Sequence, residues 1–321
     1  MKYKPIIIVA GEPNSIFLEI FFKTFKLKKF KSPLILIASK EIVMLQMKAL
    51  NFKFKINLLD YNGKSLSKLN KNKINLLNVD FHQMSPFTEI SFKSKNYIEK
   101  SFDIALNLIK LNISKKLING PISKKYFLKK KFFGITEYLG EKTRSKNVAM
   151  LIYNKYLSVS PLTTHIPLKS VTKKITKKFI IDKILLINDF YKKKLKFQPK
   201  IAVAGLNPHC ESRSLLDEDK QILLPSISML KNKKILIDGP FPTDTIFLKQ
   251  NRNKFNLIIG MYHDQVLTPM KTIYEYDAIN VTIGLPFIRV SPDHGPNEKM
   301  MGKNLSNPLS LIRSLEFLDK K

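Results

Sequence analysis

The sequence predicts an α/β fold, and three observations predict it. Short β-branched runs at 6–10, 34–38, 201–204 and 257–259 have the length of buried strands. Between them lie stretches with a helical apolar period, clearest at 97–110, where Ile98, Phe102, Ala105, Leu106 and Ile109 share one face. The two patterns alternate along most of the chain, which is the order a sheet with crossover helices requires.

Taken in order, Ile-Ile-Ile-Val-Ala at 6–10 is a first strand closed by Gly11-Glu-Pro-Asn14. A helix over 15–25 follows, with Ser15 as its cap. A strand at 34–38, a helix at 40–50 and a strand at 53–58 continue the alternation. The Lys-, Ser- and Asn-rich stretch 62–78 has weak periodicity and reads as surface structure. After the helix at 97–110, a strand at 116–118 leads into Asn119-Gly-Pro-Ile-Ser-Lys124, a turn able to present backbone N–H groups and Lys124 to a ligand, or an ordinary loop. Phe133-Gly-Ile-Thr-Glu-Tyr138 suits a helix start. Strands at 148–152 and 157–161 form a hairpin. An amphipathic helix then carries Ile180, Ile184, Ile187 and Tyr191. Asp217-Glu-Asp219 opens another helix, with acids at its positive end. Strands at 234–237, 257–259 and 278–283 follow, and a last helix has Asn307 as cap and Pro308 in its first turn.

The 321 residues, 44% of them hydrophobic, suffice for one large domain or two ordinary ones. No apolar run approaches the roughly 18 residues of a membrane span, and the opening residues lack a cleavage site, so they read as a strand and not as a signal peptide. A lone Cys210 excludes an internal disulfide and fits a reducing cytoplasm. The formal charge of +31 is almost all lysine, scattered along the chain. Nucleic-acid binders concentrate basic residues on one face; here solvated helix faces and loops account for them, so no specific nucleic-acid partner is expected.

His165, His209 and His263 each stand a few residues after an apolar strand. Ligands of open α/β sheets gather at the carboxyl ends of strands. Singly, each is a polar loop histidine. Together they can form a three-imidazole site with open positions, the donor set of a catalytic divalent metal. Arg289 stands out in a chain whose basic residues are nearly all lysine, because a guanidinium fork suits a phosphate or carboxylate. A surface arginine is the alternative. His294, in Asp-His-Gly295, is placed to line a binding loop. Without a Gly-x-Gly-x-x-Gly motif, an ordinary Rossmann dinucleotide site is unsupported.

Five segments carry a resemblance: Thr-Thr-His165-Ile-Pro-Leu, Gly-Leu-Asn-Pro-His209, Met-Tyr-His263-Asp-Gln, Asn280-Val-Thr-Ile-Gly-Leu-Pro-Phe-Ile-Arg289 and Asp293-His-Gly. Through them the chain resembles the 4-hydroxythreonine-4-phosphate dehydrogenases of vitamin B6 synthesis over almost its whole length. The resemblance implies the fold of isocitrate and isopropylmalate dehydrogenases: two α/β domains, with the active site in the cleft between them. The expected division is 1–125 with 265–321, and 126–264. A homodimer with a shared active site is implied as well. So are His165, His209 and His263 as ligands of zinc, cobalt, manganese or, less readily, magnesium. Substrate contacts fall on Thr136, Lys271, Asn280 and Arg289. Lys271 and Asp244 are the candidates for the proton-accepting base. Asp293, His294 and Gly295 fall at the NAD or NADP site. The implied reaction is oxidation of 4-phosphonooxy-L-threonine, with loss of carbon dioxide to give 3-amino-2-oxopropyl phosphate.

The chain departs from the family pattern in places. Ile135 stands where Gly-His-Thr-Glu is usual, and one lost hydrogen bond to a charged ligand costs about 1.5–3 kcal/mol. The first loop and the stretch after His209 lack the usual glycines, and Pro296-Asn297 replaces a common Thr-Ala. Two other readings follow. A paralogous decarboxylating dehydrogenase would act on another phosphorylated hydroxy acid, such as a four-carbon sugar-acid phosphate. A polyanion-binding protein without catalysis would bind RNA and retain no metal.

Overall fold

A computed structural model of the chain describes residues 3–60, 68–128, 132, 134–212, 217–292 and 294–320. They divide into two compact units, Met1–Leu139 with Pro286–Lys321, and Gly140–Leu285. The segment 265–285, expected in the first unit, belongs to the second. Val266, Met270 and Ala278 are buried in the second unit's core with Val159, Ala202 and Ile258.

The first unit begins with strand β1 (Ile6–Val9), helix α1 (Phe17–Leu27), β2 (Leu34–Ala38) and α2 (Lys40–Ala49). Then come β3 (Ile56–Leu59), β4 (Ile74–Asn78), α3 (Lys95–Lys110) and β5 (Lys116–Asn119), and α4 (Ile135–Lys142) runs across the unit boundary. The expected cap of α1 shifts: Ile16, not Ser15, holds the cap position and makes no side-chain capping bond. Ser15 Oγ accepts from Phe17 N at 3.3 Å, and the helix proper starts at Phe17. Ser39 likewise accepts from Ile42 N at the start of α2. Strand β4 lies in the stretch read as surface structure (residues 62–67 of it are outside the described residues). Ile74, Leu76 and Leu77 are buried, and the interrupting Asn75 satisfies its amide on the Leu34 and Asn70 carbonyls.

The second unit contains β6 (Ala149–Tyr153), β7 (Ser158–Pro161), α5 (Lys177–Phe190), β8 (Ile201–Ala204) and α6 (Leu224–Asn232). It continues with β9 (Ile237–Phe241), β10 (Leu257–Gly260), α7 (His263–Tyr274) and β11 (Ile279–Ile283). The chain then returns to the first unit with β12 (Ile288–Pro292) and α8 (Leu309–Leu318).

In the first unit the strand order is β3-β4-β2-β1-β5-β12, and every pairing is parallel. In the second it is β11-β6-β7-β10-β8-β9. There β11, β6 and β7 pair antiparallel, which includes the expected hairpin, and β7, β10, β8 and β9 run parallel. A parallel sheet is covered on both faces. That is why Ile6 to Val9 and Leu257 to Ile259 are apolar without alternation, each fully buried. All carboxyl ends of such a set of strands emerge on one rim, so each unit offers one rim of loops.

Candidate active site

On the second unit, β7, β10 and β8 are consecutive neighbours, with β10 in the middle. Their registers pair Gly260 with Pro161 and Ile259 with Val203, so the three strands end at the same level. His165 follows β7, His209 follows β8, and His263 is the first residue of α7 after β10. The rings of His165 and His263 lie 6.0 Å apart, centroid to centroid. His263 Nδ1 is 2.7 Å from Asp264 Oδ1, a carboxylate partner that fixes one ring nitrogen and leaves the other to a ligand. His209 is exposed, with a left-handed backbone (φ 55°). The structure thus brings two of the three histidines together and sets the third on the adjoining strand's exit. Among the described residues, no three His, Cys, Asp or Glu side chains are already gathered around one point.

Two residues whose role the sequence does not reveal shape this rim. Asp219, read as an acid at a helix start, is fully buried. Its Oδ1 accepts from Leu206 N at 2.8 Å, and its Oδ2 accepts from Asn207 N and Asn207 Nδ2, each at 2.9 Å. It therefore holds the loop that delivers His209. Gln265 Nε2 donates to Gly205 O at 2.6 Å and to Thr243 Oγ1 at 3.0 Å, while its Oε1 accepts from Met261 N. One buried amide so ties the exits of β8 and β10 to the turn carrying Asp244. Gly205 has no room for a side chain, since a Cβ there would stand 2.5 Å from Cys210 Sγ. Burial pushes that thiol up to about 11, which suits a packed and unreactive cysteine.

Asp244 is exposed, Lys271 lies half-buried in the last turn of α7, and Asn280 lies on β11. The side-chain oxygen of Asn280 is buried and has no hydrogen-bond donor among the described residues. Such an acceptor is costly without a partner, so a ligand donor is its natural complement.

On the first unit, the sequence context of Arg289 after a turn suits either an anion-binding or a surface arginine. The residue is in fact inside β12 and 2% exposed. Its Nε donates to Asn119 Oδ1 at 2.7 Å. Burial pulls the guanidinium down to about 9, and the charge of Glu137 works against that fall. Thr136, at the start of α4, is buried beside a half-buried Ile135. The His294 ring packs against Phe17 at 6.3 Å, and a side chain at Gly295 would meet nothing within 4 Å. Asp293 lies outside the described residues. Near the β1 exit, burial lifts the Glu12 carboxyl from its ordinary 4.5 to about 7, against the hydrogen bond from Ser94.

Comparison with known proteins agrees with this architecture. Residues 29–318 match the pyridoxal phosphate biosynthetic protein PdxA family. The chain is 38% identical over 325 residues to 4-hydroxythreonine-4-phosphate dehydrogenase of Sulfurihydrogenibium sp. (strain YO3AOP1), covering 97% of this chain and 96% of that one. It superposes on the crystal structure of the Klebsiella pneumoniae enzyme of the same name with a TM-score of 0.84, at 25% identity and 98% coverage of both chains. Isocitrate dehydrogenase of Methylococcus capsulatus, at 9% identity, TM-score 0.50 and coverage of 97% and 83%, shares the fold alone.

Proposed function

The chain belongs to the PdxA family of pyridoxal phosphate biosynthetic proteins, and from that premise we propose that it is a dehydrogenase oxidising 4-phosphonooxy-L-threonine with NAD or NADP. Decarboxylation to 3-amino-2-oxopropyl phosphate completes the reaction, within vitamin B6 synthesis. The observation that carries the reading is the delivery of His165, His263 and His209 to one rim by three adjacent parallel strands. We place the enzyme in the cytoplasm as a homodimer with a shared active site. No helix among the described residues is long and apolar enough to cross a membrane.

The donor set fits a divalent cation. Three neutral imidazoles are ordinary ligands of zinc, cobalt or manganese and suit magnesium less well, and His263 has the carboxylate partner that such ligands usually carry. In this reading His165 and His263 form the standing pair, and His209 supplies the third nitrogen from its exposed loop. When bound, the cation would supply Lewis-acid polarisation of the substrate hydroxyl, and the nicotinamide nucleotide would supply a hydride acceptor. His294 and Gly295 would hold the nicotinamide nucleotide, and the open side of Gly295 leaves room for a ligand against the backbone.

The remaining work falls to side chains of this protein. Lys271 or Asp244 takes the hydroxyl proton, both standing on the unit that carries the histidines. Asn280 Oδ1 accepts from the substrate's amino group, which relieves its buried and unmet oxygen. Arg289 and Thr136 receive an anionic end of the substrate, and burial strengthens that attraction because little water screens it.

Ile135 favours a second reading. An apolar side chain where the family has histidine fits a paralogue acting on another phosphorylated hydroxy acid, while the amine-accepting Asn280 favours the amino substrate. The test is NAD(P)H production with added metal, comparing 4-phosphonooxy-L-threonine with 4-phosphoerythronate. Turnover of the first alone supports the B6 reaction, and turnover of the second alone replaces it with the paralogue. If neither turns over while RNA binds tightly and survives His209→Ala, the enzyme reading is lost.

A further inference from the structure

Arg289 and Asn119 lie 170 positions apart in sequence, yet they form one structural unit. Strand β12 pairs with β5 in parallel, Arg289 opposite Leu117 and Val290 opposite Ile118. Alternate residues of a strand share a face, so Leu117, Asn119 and Arg289 point the same way. Arg289 starts level with Leu117, but its Nε bonds Asn119 Oδ1, two residues further along β5. The side chain therefore runs about 6–7 Å along the strands toward their carboxyl ends, the rim where ligands of such sheets bind.

The amide of Asn119 is fixed at both ends. Its Nδ2 donates to Gly120 O at 2.8 Å, which leaves Oδ1 facing the guanidinium. The loop behind it is equally constrained. Gly120 N donates to Val9 O at 2.8 Å, Glu12 N donates to Pro121 O at 2.8 Å, and a Cβ on Gly120 would stand 2.7 Å from the Phe17 ring. Asn119 itself is 2% exposed. A buried amide held this firmly selects one rotamer of a long and otherwise flexible side chain.

We propose that Asn119 is a positioning residue: by accepting from Arg289 Nε it sets the direction of the guanidinium fork that binds the substrate's phosphate or carboxylate. The inference rests on the anion-binding role given to Arg289 above. It also gives a task to the Asn-Gly-Pro turn, which carries no chemistry of its own. A bond through Nε can be made by arginine and not by lysine, so Asn119 acts only while residue 289 is arginine.

The experiment is a double-mutant cycle on the full-length protein, with Asn119→Ala, Arg289→Lys and the pair. Two readouts are taken: inorganic phosphate binding by calorimetry, and KM against kcat for 4-phosphonooxy-L-threonine. Loss of one orienting hydrogen bond to a charged group is expected to weaken phosphate binding about tenfold in Asn119→Ala, with KM rising more than kcat falls. In the Arg289→Lys background the same change adds nothing. Should the alanine variant not fold, Asn119→Thr is read in the same cycle and must give the same pattern. Equal losses in both backgrounds, unchanged phosphate binding in Asn119→Ala, or no phosphate binding by the unaltered protein overturns the proposal. Normal phosphate binding that responds to Asn119, without turnover of the amino substrate, overturns the assigned reaction and leaves the positioning role standing.

Discussion

Glu12→Gln is expected to stabilise the protein in a pH-dependent way. Glu12 is 1% exposed and lies at the exit of β1. Its Oε1 accepts from Asn14 N at 3.4 Å and its Oε2 from Ser94 Oγ at 2.9 Å. Burial raises the folded carboxyl from the ordinary 4.5 to about 7, with a further push from Glu298. The folded state thus holds this proton more tightly than the unfolded chain does. Its contribution is fully present below pH 4.5 and is lost as pH rises toward 7. At about 1.4 kcal/mol per unit, a shift from 4.5 to about 7 costs about 3 kcal/mol above neutrality. Glutamine carries no charge to bury. Its carbonyl keeps the Asn14 bond and its amide can donate to Ser94 Oγ, which then donates to Ser91 O at its present 3.1 Å. Urea melts of both proteins at pH 5, 6, 7 and 8 read the difference. The variant should match the parent near pH 5 and exceed it by up to about 3 kcal/mol at pH 8. A difference that does not change with pH, or a variant less stable at pH 8, refutes the reasoning.

Other expected outcomes concern the rims. Gln265→Ala leaves Gly205 O, Thr243 Oγ1 and Met261 N without their shared partner. About 2–4 kcal/mol of stability should be lost by denaturant melts, together with weaker metal retention because the turns beside His263 and before His209 loosen. Gly120→Ala drives a Cβ into the backbone carbonyl of Ala10 and the Phe17 ring. The cost should reach or exceed the roughly 1–3 kcal/mol typical of overpacking, and a melt unchanged from the parent would contradict the close approach.

What the sequence made legible was whatever depends on local pattern. Buried strands such as Ile201–Ala204 and helices such as α3 show in the residue types themselves, and the histidines stand out because each follows such a strand. Strand β4 was hidden because its apolar residues are interrupted by Asn75 and preceded by lysines and asparagines; only the carbonyls around it show that the asparagine can be buried. Arg289 within a buried strand was hidden for a similar reason, since a charged residue argues against a core position until its partner is known, and that partner, Asn119, comes from another strand. Asp219 looked like a helix-start acid because position alone suggested it. Its actual task, bonding the backbone that presents His209, depends on a loop folding back over twelve residues. The left-handed backbone of His209 carries no signature in the sequence, since most histidines, like other non-glycine residues, have negative φ.

The proposed function requires His165, His209 and His263 to hold one divalent cation. Its most direct test is cobalt(II) titration of the metal-free protein, followed by visible absorption and metal analysis, beside the three single His→Ala variants. The parent protein should hold one cobalt ion tightly per chain, with a low-coordinate absorption band, and lose it in each variant including His209→Ala. A parent protein that retains no metal, or a His209→Ala variant that binds cobalt as tightly and with the same spectrum, would contradict it.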